Sequence, residues 1–125
     1  GLRILLADDD AVTQMAVAGF LERQGMTVHV AANGQQALDE LDRGDFDCVL
    51  MDIQMPVMDG IEATRLIRQE RRPHGPSSVP IIALTAYAMS GDRESFLSAG
   101  MDDYVAKPVD NDELLDVILR QTGLP

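Results

Sequence analysis

Cys48-Val49-Leu50-Met51-Asp52 is the stretch whose reading decides the fold. Four consecutive apolar residues leave no side for water, so a strand here is covered on both faces, as in a parallel sheet between helical layers. The run then stops on a carboxylate. Outward from it, Leu2 to Ala7, Thr27 to Ala31, Ile81 to Leu84 and Tyr104 to Ala106 read as further strands, with Cys48 to Met51 as the third of five. Helix-like segments fill the gaps. Val12, Met15, Ala16 and Phe20 share one face, and Gly25 closes that helix. Asn33 with Gln36 three residues on makes a capping-box-like start, followed by Ala37, Leu38 and Leu41 as the buried stripe. Asp59 with Glu62 opens a third helix, and Ser90 a fourth, with Phe96 and Leu97 facing inward. Asp110 with Glu113 opens the last, where Leu114, Leu115 and Ile118 form the stripe and Gly123 marks the stop. Strict alternation of this kind predicts an α/β fold, a doubly wound five-stranded parallel sheet with helices on both faces. Arg71 to Pro80, with three prolines and a glycine, is the one long loop.

Composition bounds the function. The 125 residues fit a single domain, 1–125, and its start at Gly1 suggests a piece of a longer multidomain protein. Ten Lys and Arg stand against 21 Asp and Glu, a formal net charge of -11. Nucleic-acid binding needs a basic face, so direct nucleic-acid contact is not expected. The one cysteine, Cys48, lies in the apolar run and supports no disulfide, which suits a reducing, cytoplasmic compartment. No apolar stretch approaches a membrane span, so no membrane contact by this domain is expected.

In open parallel sheets, ligands bind outside the carboxyl ends of the strands. Those ends carry Asp8 and Asp9, then Asp52, Thr85 and Lys107. Crowded carboxylates repel, so they share protons or hold a cation. Mg²⁺ prefers hard oxygen ligands and keeps waters and phosphate oxygens in its shell. With Lys107 and Thr85 to take further phosphoryl oxygens, Asp52 fits a carboxylate nucleophile that forms an acyl phosphate. Each residue alone also has a plain structural reading. The row Asp8-Asp9-Asp10 reads equally as a helix entry capped by Asp10, Thr85 as a strand-end hydroxyl, Lys107 as a solvated cation, and Asp59-Gly60 as loop punctuation. Their conjunction at strand ends favours chemistry.

Leu5-Leu6-Ala7-Asp8-Asp9-Asp10, Met51-Asp52-Ile53-Gln54-Met55-Pro56-Val57-Met58-Asp59-Gly60, Ala83-Leu84-Thr85-Ala86 and Asp103-Tyr104-Val105-Ala106-Lys107-Pro108 together resemble receiver domains of two-component response regulators. The resemblance covers essentially the whole chain. Ile61 to Arg65 and Ala99 to Tyr104 are most similar to receivers fused to hybrid sensor histidine kinases. It implies a flavodoxin-like topology with strand order 2-1-3-4-5. It also implies phosphorelay signalling, with Asp52 as phosphoacceptor and self-phosphorylation and self-dephosphorylation as the domain's own chemistry. The implied cofactor is Mg²⁺, ligated by Asp9, Asp52 and the backbone carbonyl of Gln54, with Asp8 reaching it through water. Lys107 would be the active-site lysine, Thr85 the switch hydroxyl, and Tyr104 the aromatic that turns with phosphorylation. The implied partner is a histidine kinase or a histidine phosphotransfer domain, and receivers of this kind act as monomers or homodimerise on phosphorylation. The implied location is cytoplasmic, in a parent chain that is free or membrane-anchored. Asp10 departs from the Asn that such receivers often carry. Gln54 and Tyr87, each two residues past a site residue, are expected to flank the path of the hydrolytic water. A dehalogenase-type phosphohydrolase would need a second acid where Gln54 stands. A receiver-like module without phosphorylation would be expected to lack one of the acids or the lysine.

Overall fold

The structure, a computed structural model, describes residues 1–69, 79–86 and 90–123. Strands and helices alternate without exception: β1 Arg3–Ala7, α1 Ala11–Arg23, β2 Thr27–Ala31, α2 Gly34–Arg43, β3 Cys48–Asp52, α3 Gly60–Gln69, β4 Ile81–Thr85, α4 Ser90–Ala99, β5 Asp103–Ala106 and α5 Asn111–Thr122. The five strands form one parallel sheet in the order β2-β1-β3-β4-β5. This is the doubly wound, flavodoxin-like arrangement expected, with β3 in the middle.

Alternate side chains of a strand point to opposite faces, and here both faces are filled. Leu5, Val49, Met51, Ile81 and Ala83 join Leu38, Ile67 and Phe96 on the side of α2, α3 and α4. Ile4, Leu6, Cys48, Leu50, Ile82 and Leu84 meet Val17, Leu21, Leu114 and Ile118 on the side of α1 and α5. Every residue of β3 is buried, which explains its unbroken apolar run. Burial pushes the Cys48 thiol up to about 12, so Cys48 is a small core side chain. Three of the helix starts read from the sequence are capped as expected. Asn33 Oδ1 accepts from Gln36 N–H at 2.9 Å, Asp59 Oδ1 from Glu62 N–H at 2.8 Å, and Asp110 Oδ1 from the N–H groups of Asp112 and Glu113. Gly123 ends α5 at φ 77, a left-handed cap.

Two helix faces differ from expectation. Val12 and Met15 are 74% and 77% exposed, and the buried residues of α1 are Val17 and Leu21. α1 carries apolar side chains on two stripes, so periodicity cannot choose between them; the Gln14 amide, which donates to the Asp8 carbonyl, is consistent with the rotation seen. In α4, Phe96 is buried while Leu97 is 47% exposed; adjacent helical residues point about 100° apart, and the core lies on the Phe96 side. On α5, Val117 joins Leu114 and Ile118 in the core, and Leu115 is half-buried. The loop read over Arg71 to Pro80 lies outside the described residues except for Val79 and Pro80, and Tyr87 lies outside them as well. No helix among the described residues is long and apolar enough to cross a membrane.

Candidate active site

The carboxyl ends of β1, β3, β4 and β5 meet along one edge. Asp8 extends the β1 ladder by one step, its N–H donating to the Ala31 carbonyl at 3.0 Å. Its Oδ1 accepts from Asp10 N–H at 2.9 Å, and the residue is fully buried. Asp9 is exposed and lines the open cleft beside Asp52, Gln54, Thr85 and Lys107. Asp10 instead caps α1, accepting from Thr13 Oγ1 at 2.7 Å and Thr13 N–H at 3.1 Å, bonds that lower its pKa. The helix-entry reading of the acidic row therefore holds for Asp10 only.

Asp52 ends β3 and is 6% exposed. Burial and the charge of Asp8 push its pKa up; Lys107 and the Gln54 N–H, 3.3 Å from Oδ1, offset this only in part. Lys107 follows β5, and its N–H donates to the Thr85 carbonyl at 2.8 Å. The next peptide bond, to Pro108, is cis. The Lys107 ammonium lies 3.0 Å from Asp8 Oδ2 and 3.3 Å from Asp52 Oδ2. Burial works against that ammonium, but the two carboxylates outweigh it and hold its pKa above the ordinary lysine value. Thr85, at 1% exposure, borders the same cleft. All five strand-end residues of the sequence reading thus come together.

One oxygen from each of Asp8, Asp9 and Asp52 lies within 4.8 Å of the others. Three carboxylates against one ammonium leave two negative charges, which one divalent cation would cancel. Asp8 Oδ2 is buried and accepts no well-directed hydrogen bond, so the ion pair with Lys107 leaves it under-satisfied. The donors are hard oxygens, which fits Mg²⁺ and disfavours soft metals. Gln54 is exposed, so its backbone, rather than its side chain, is tied to the site through the bond to Asp52. Tyr104 is half-buried against the α2–α3–α4 core, with the Arg93 guanidinium 5.8 Å from its ring centre.

The loop between β3 and α3 is shaped by contacts that sequence reasoning passed over. Gly60 N–H donates to the Ile53 carbonyl at 3.0 Å, closing the loop at its base. Met58 N–H reaches the Pro56 carbonyl at 2.7 Å around Val57, which has φ 69. A β-branched residue in the left-handed region of a γ-turn carries strain on the order of 1–3 kcal/mol. At the tip, the Met58 carbonyl accepts from Gly34 N–H at 2.9 Å. Asn33-Gly34 and Asp59-Gly60 were the only signals, and both resemble ordinary helix starts.

Comparison with known proteins agrees with this geometry. The response regulator receiver domain family matches residues 4–119. The sensor protein GacS of Pseudomonas syringae is 43% identical over 122 residues, 98% of this chain and 14% of its own length. The chain thus spans about a seventh of that relative. Among solved structures, the receiver domain of a Pseudomonas aeruginosa sensor histidine kinase, with magnesium coordinated in its active-site cleft, superimposes with TM-score 0.88 at 44% identity over 98% of both chains. The Saccharomyces cerevisiae co-crystal structure of the histidine phosphotransfer protein Ypd1 with the receiver domain of Ssk1 gives TM-score 0.87 at 30% identity, covering 98% of this chain and 89% of that one. The chain belongs to the response regulator receiver domains of two-component phosphorelay systems, and its relatives include the receivers of hybrid sensor histidine kinases.

Proposed function

We propose that Asp52 accepts a phosphoryl group from a phosphohistidine in an Mg²⁺-dependent transfer. The observation that carries this reading is the carboxylate cluster Asp8, Asp9 and Asp52 with Lys107 bridging two of its members. An Asp52 carboxylate oxygen attacks phosphorus in line. The phosphorus–nitrogen bond of the donor breaks, its electron pair returns to the imidazole, and an acyl phosphate remains on Asp52. Asp9, Asp52 and the Gln54 carbonyl would hold the cation, with Asp8 behind them through water. When bound, Mg²⁺ supplies neutralising charge to the phosphoryl oxygens. Lys107 steadies those oxygens from the other side, and Thr85 offers a hydroxyl. The donor is a histidine kinase or a histidine phosphotransfer domain, the second being the class of partner seen with the Ssk1 receiver. A longer signalling protein as the parent of this chain is supported by the GacS relative, of which the chain spans about a seventh.

The metal assignment is tested by titrating Mg²⁺ into the wild type and Asp9→Asn. Loss of a residue that orients a metal ligand costs about 10–100-fold in metal affinity, and loss of a direct ligand should cost no less. Mg²⁺ affinity and phosphorylation should fall together. Unchanged affinity in Asp9→Asn would rule the ligand set out.

Phosphorylation adds about -1.5 to -2 charges and strong acceptors. That draws the Thr85 hydroxyl toward Asp52 and lets Tyr104 turn inward, reshaping the face of α4, β5 and α5. Thr85→Ala should still take phosphate but lose the phosphorylation-induced shift in the Tyr104 ring resonances. A variant that keeps both would break the coupling.

A further inference from the structure

We infer that Gly34, at the start of α2 and distant in sequence from every site residue, is a positioning residue for the metal end of the site. The inference rests on the metal reading above and adds a part to it. Gly34 is buried, and its N–H holds the Met58 carbonyl at 2.9 Å. A Cβ added at Gly34 would stand 2.6 Å from the Met58 carbonyl oxygen and 2.9 Å from Met58 Cγ. The nearest obstacle is backbone, so a side chain here must push the loop away. Its φ lies outside the left-handed region, so space rather than conformation demands glycine.

What Gly34 holds is not a relaxed segment. Residues 53–59 run from the end of β3 to α3, closed at the base by Gly60 N–H on the Ile53 carbonyl and turned at Val57 with φ 69. Val57 is also 83% exposed, so neither its backbone conformation nor its side chain is held by the core. Released from Gly34, the loop would relax toward an unstrained turn at Val57. The Gln54 carbonyl lies on the same short span, four residues before Met58, and Gln54 N–H is bonded to Asp52 itself. The pin therefore holds the span that carries the Gln54 carbonyl assigned to the cation, through a bond made on a different helix. Conversely, a cation that fixes this carbonyl should strengthen the pin, since coupling between two equilibria is reciprocal.

The test uses the whole chain and MgCl₂. By titration calorimetry, Gly34→Ala should bind Mg²⁺ about tenfold or more weakly than wild type, within the range for residues that orient ligands. Saturating Mg²⁺ should restore phosphorylation by a small phosphodonor. Adding Met58→Ala should not rescue affinity, because the carbonyl obstacle stays. Gly19→Ala is the control, since its Cβ would meet only the flexible end of Arg23 at 3.4 Å. A purely structural role would lower the chelator-treated thermal midpoint and leave the affinity of the folded protein alone, and that result would overturn the inference. Hydrogen exchange on the wild type decides even if Gly34→Ala fails to fold. Mg²⁺ should slow exchange of the Gly34 amide and leave that of Gly19 unchanged; a Gly34 amide indifferent to Mg²⁺ would overturn the inference. A wild type that binds no Mg²⁺ would sink the metal reading and this one together, whereas an unaffected Gly34→Ala sinks this one alone.

Discussion

Asp52→Asn is expected to gain no phosphate under conditions where the wild type gains one. Asp8 and Asp9 are acidic and close, yet neither is placed to substitute. Asp8 is fully buried and does not line the cleft, whereas Asp52 does. Asp9 is exposed and is the member of the cluster best placed to hold a cation from the cleft. Asn keeps the size of Asp52 and removes the nucleophile. It also removes a charge that the fold disfavours, since burial and Asp8 raise the Asp52 pKa. A raised carboxyl pKa means that folding favours the neutral form, so the cost of ionisation is present in full above that raised value. Metal-free Asp52→Asn at neutral pH should therefore be at least as stable as wild type. Urea denaturation in chelator checks the stability, and intact mass checks the phosphate.

Gly60→Ala should instead remove stability and chemistry together. A Cβ at Gly60 would fall inside the Asp52 carbonyl oxygen and 3.0 Å from Met51 Cγ. Ala in a helix gains up to about 1 kcal/mol over Gly. Overpacking typically costs about 1–3 kcal/mol and here acts on backbone, which cannot swing away as a side chain can. The bond from Gly60 N–H to the Ile53 carbonyl is strained at the same time. With the strained hydrogen bond added, we expect a net loss of about 1–3 kcal/mol. Because the displaced carbonyl belongs to Asp52, phosphorylation should drop even where the variant remains folded. A Gly60→Ala protein with an unchanged urea midpoint would contradict the packing described here.

The architecture was legible because burial on both faces of β3 forces an apolar run that no half-exposed strand would show. Asp8, Asp9, Asp52, Thr85 and Lys107 were legible for a related reason: parallel strands all end at one edge, so strand-end residues converge without knowledge of contacts. The rotation of α1 was not legible, because Val12 and Met15 on one stripe are as apolar as Val17 and Leu21 on another. Leu97 was misplaced beside Phe96 because two adjacent apolar residues give no phase. The packing roles of Gly34 and Gly60 escaped notice for a different reason. Each glycine is required by the close approach of backbone from another segment, Met58 in one case and Asp52 in the other, and such an approach leaves no periodic trace.

The central claim is that the phosphoryl group lands on Asp52 and needs Mg²⁺ to do so. The most direct measurement treats the wild type with a small phosphodonor, with Mg²⁺ or with chelator, weighs it intact, and then reduces the product with borohydride to mark any acyl phosphate for peptide mass mapping. One added phosphate, absent in chelator, labile to alkali and mapped to Asp52, is the predicted result. Stoichiometric phosphate that maps to another residue, or that forms equally in chelator, would contradict the account.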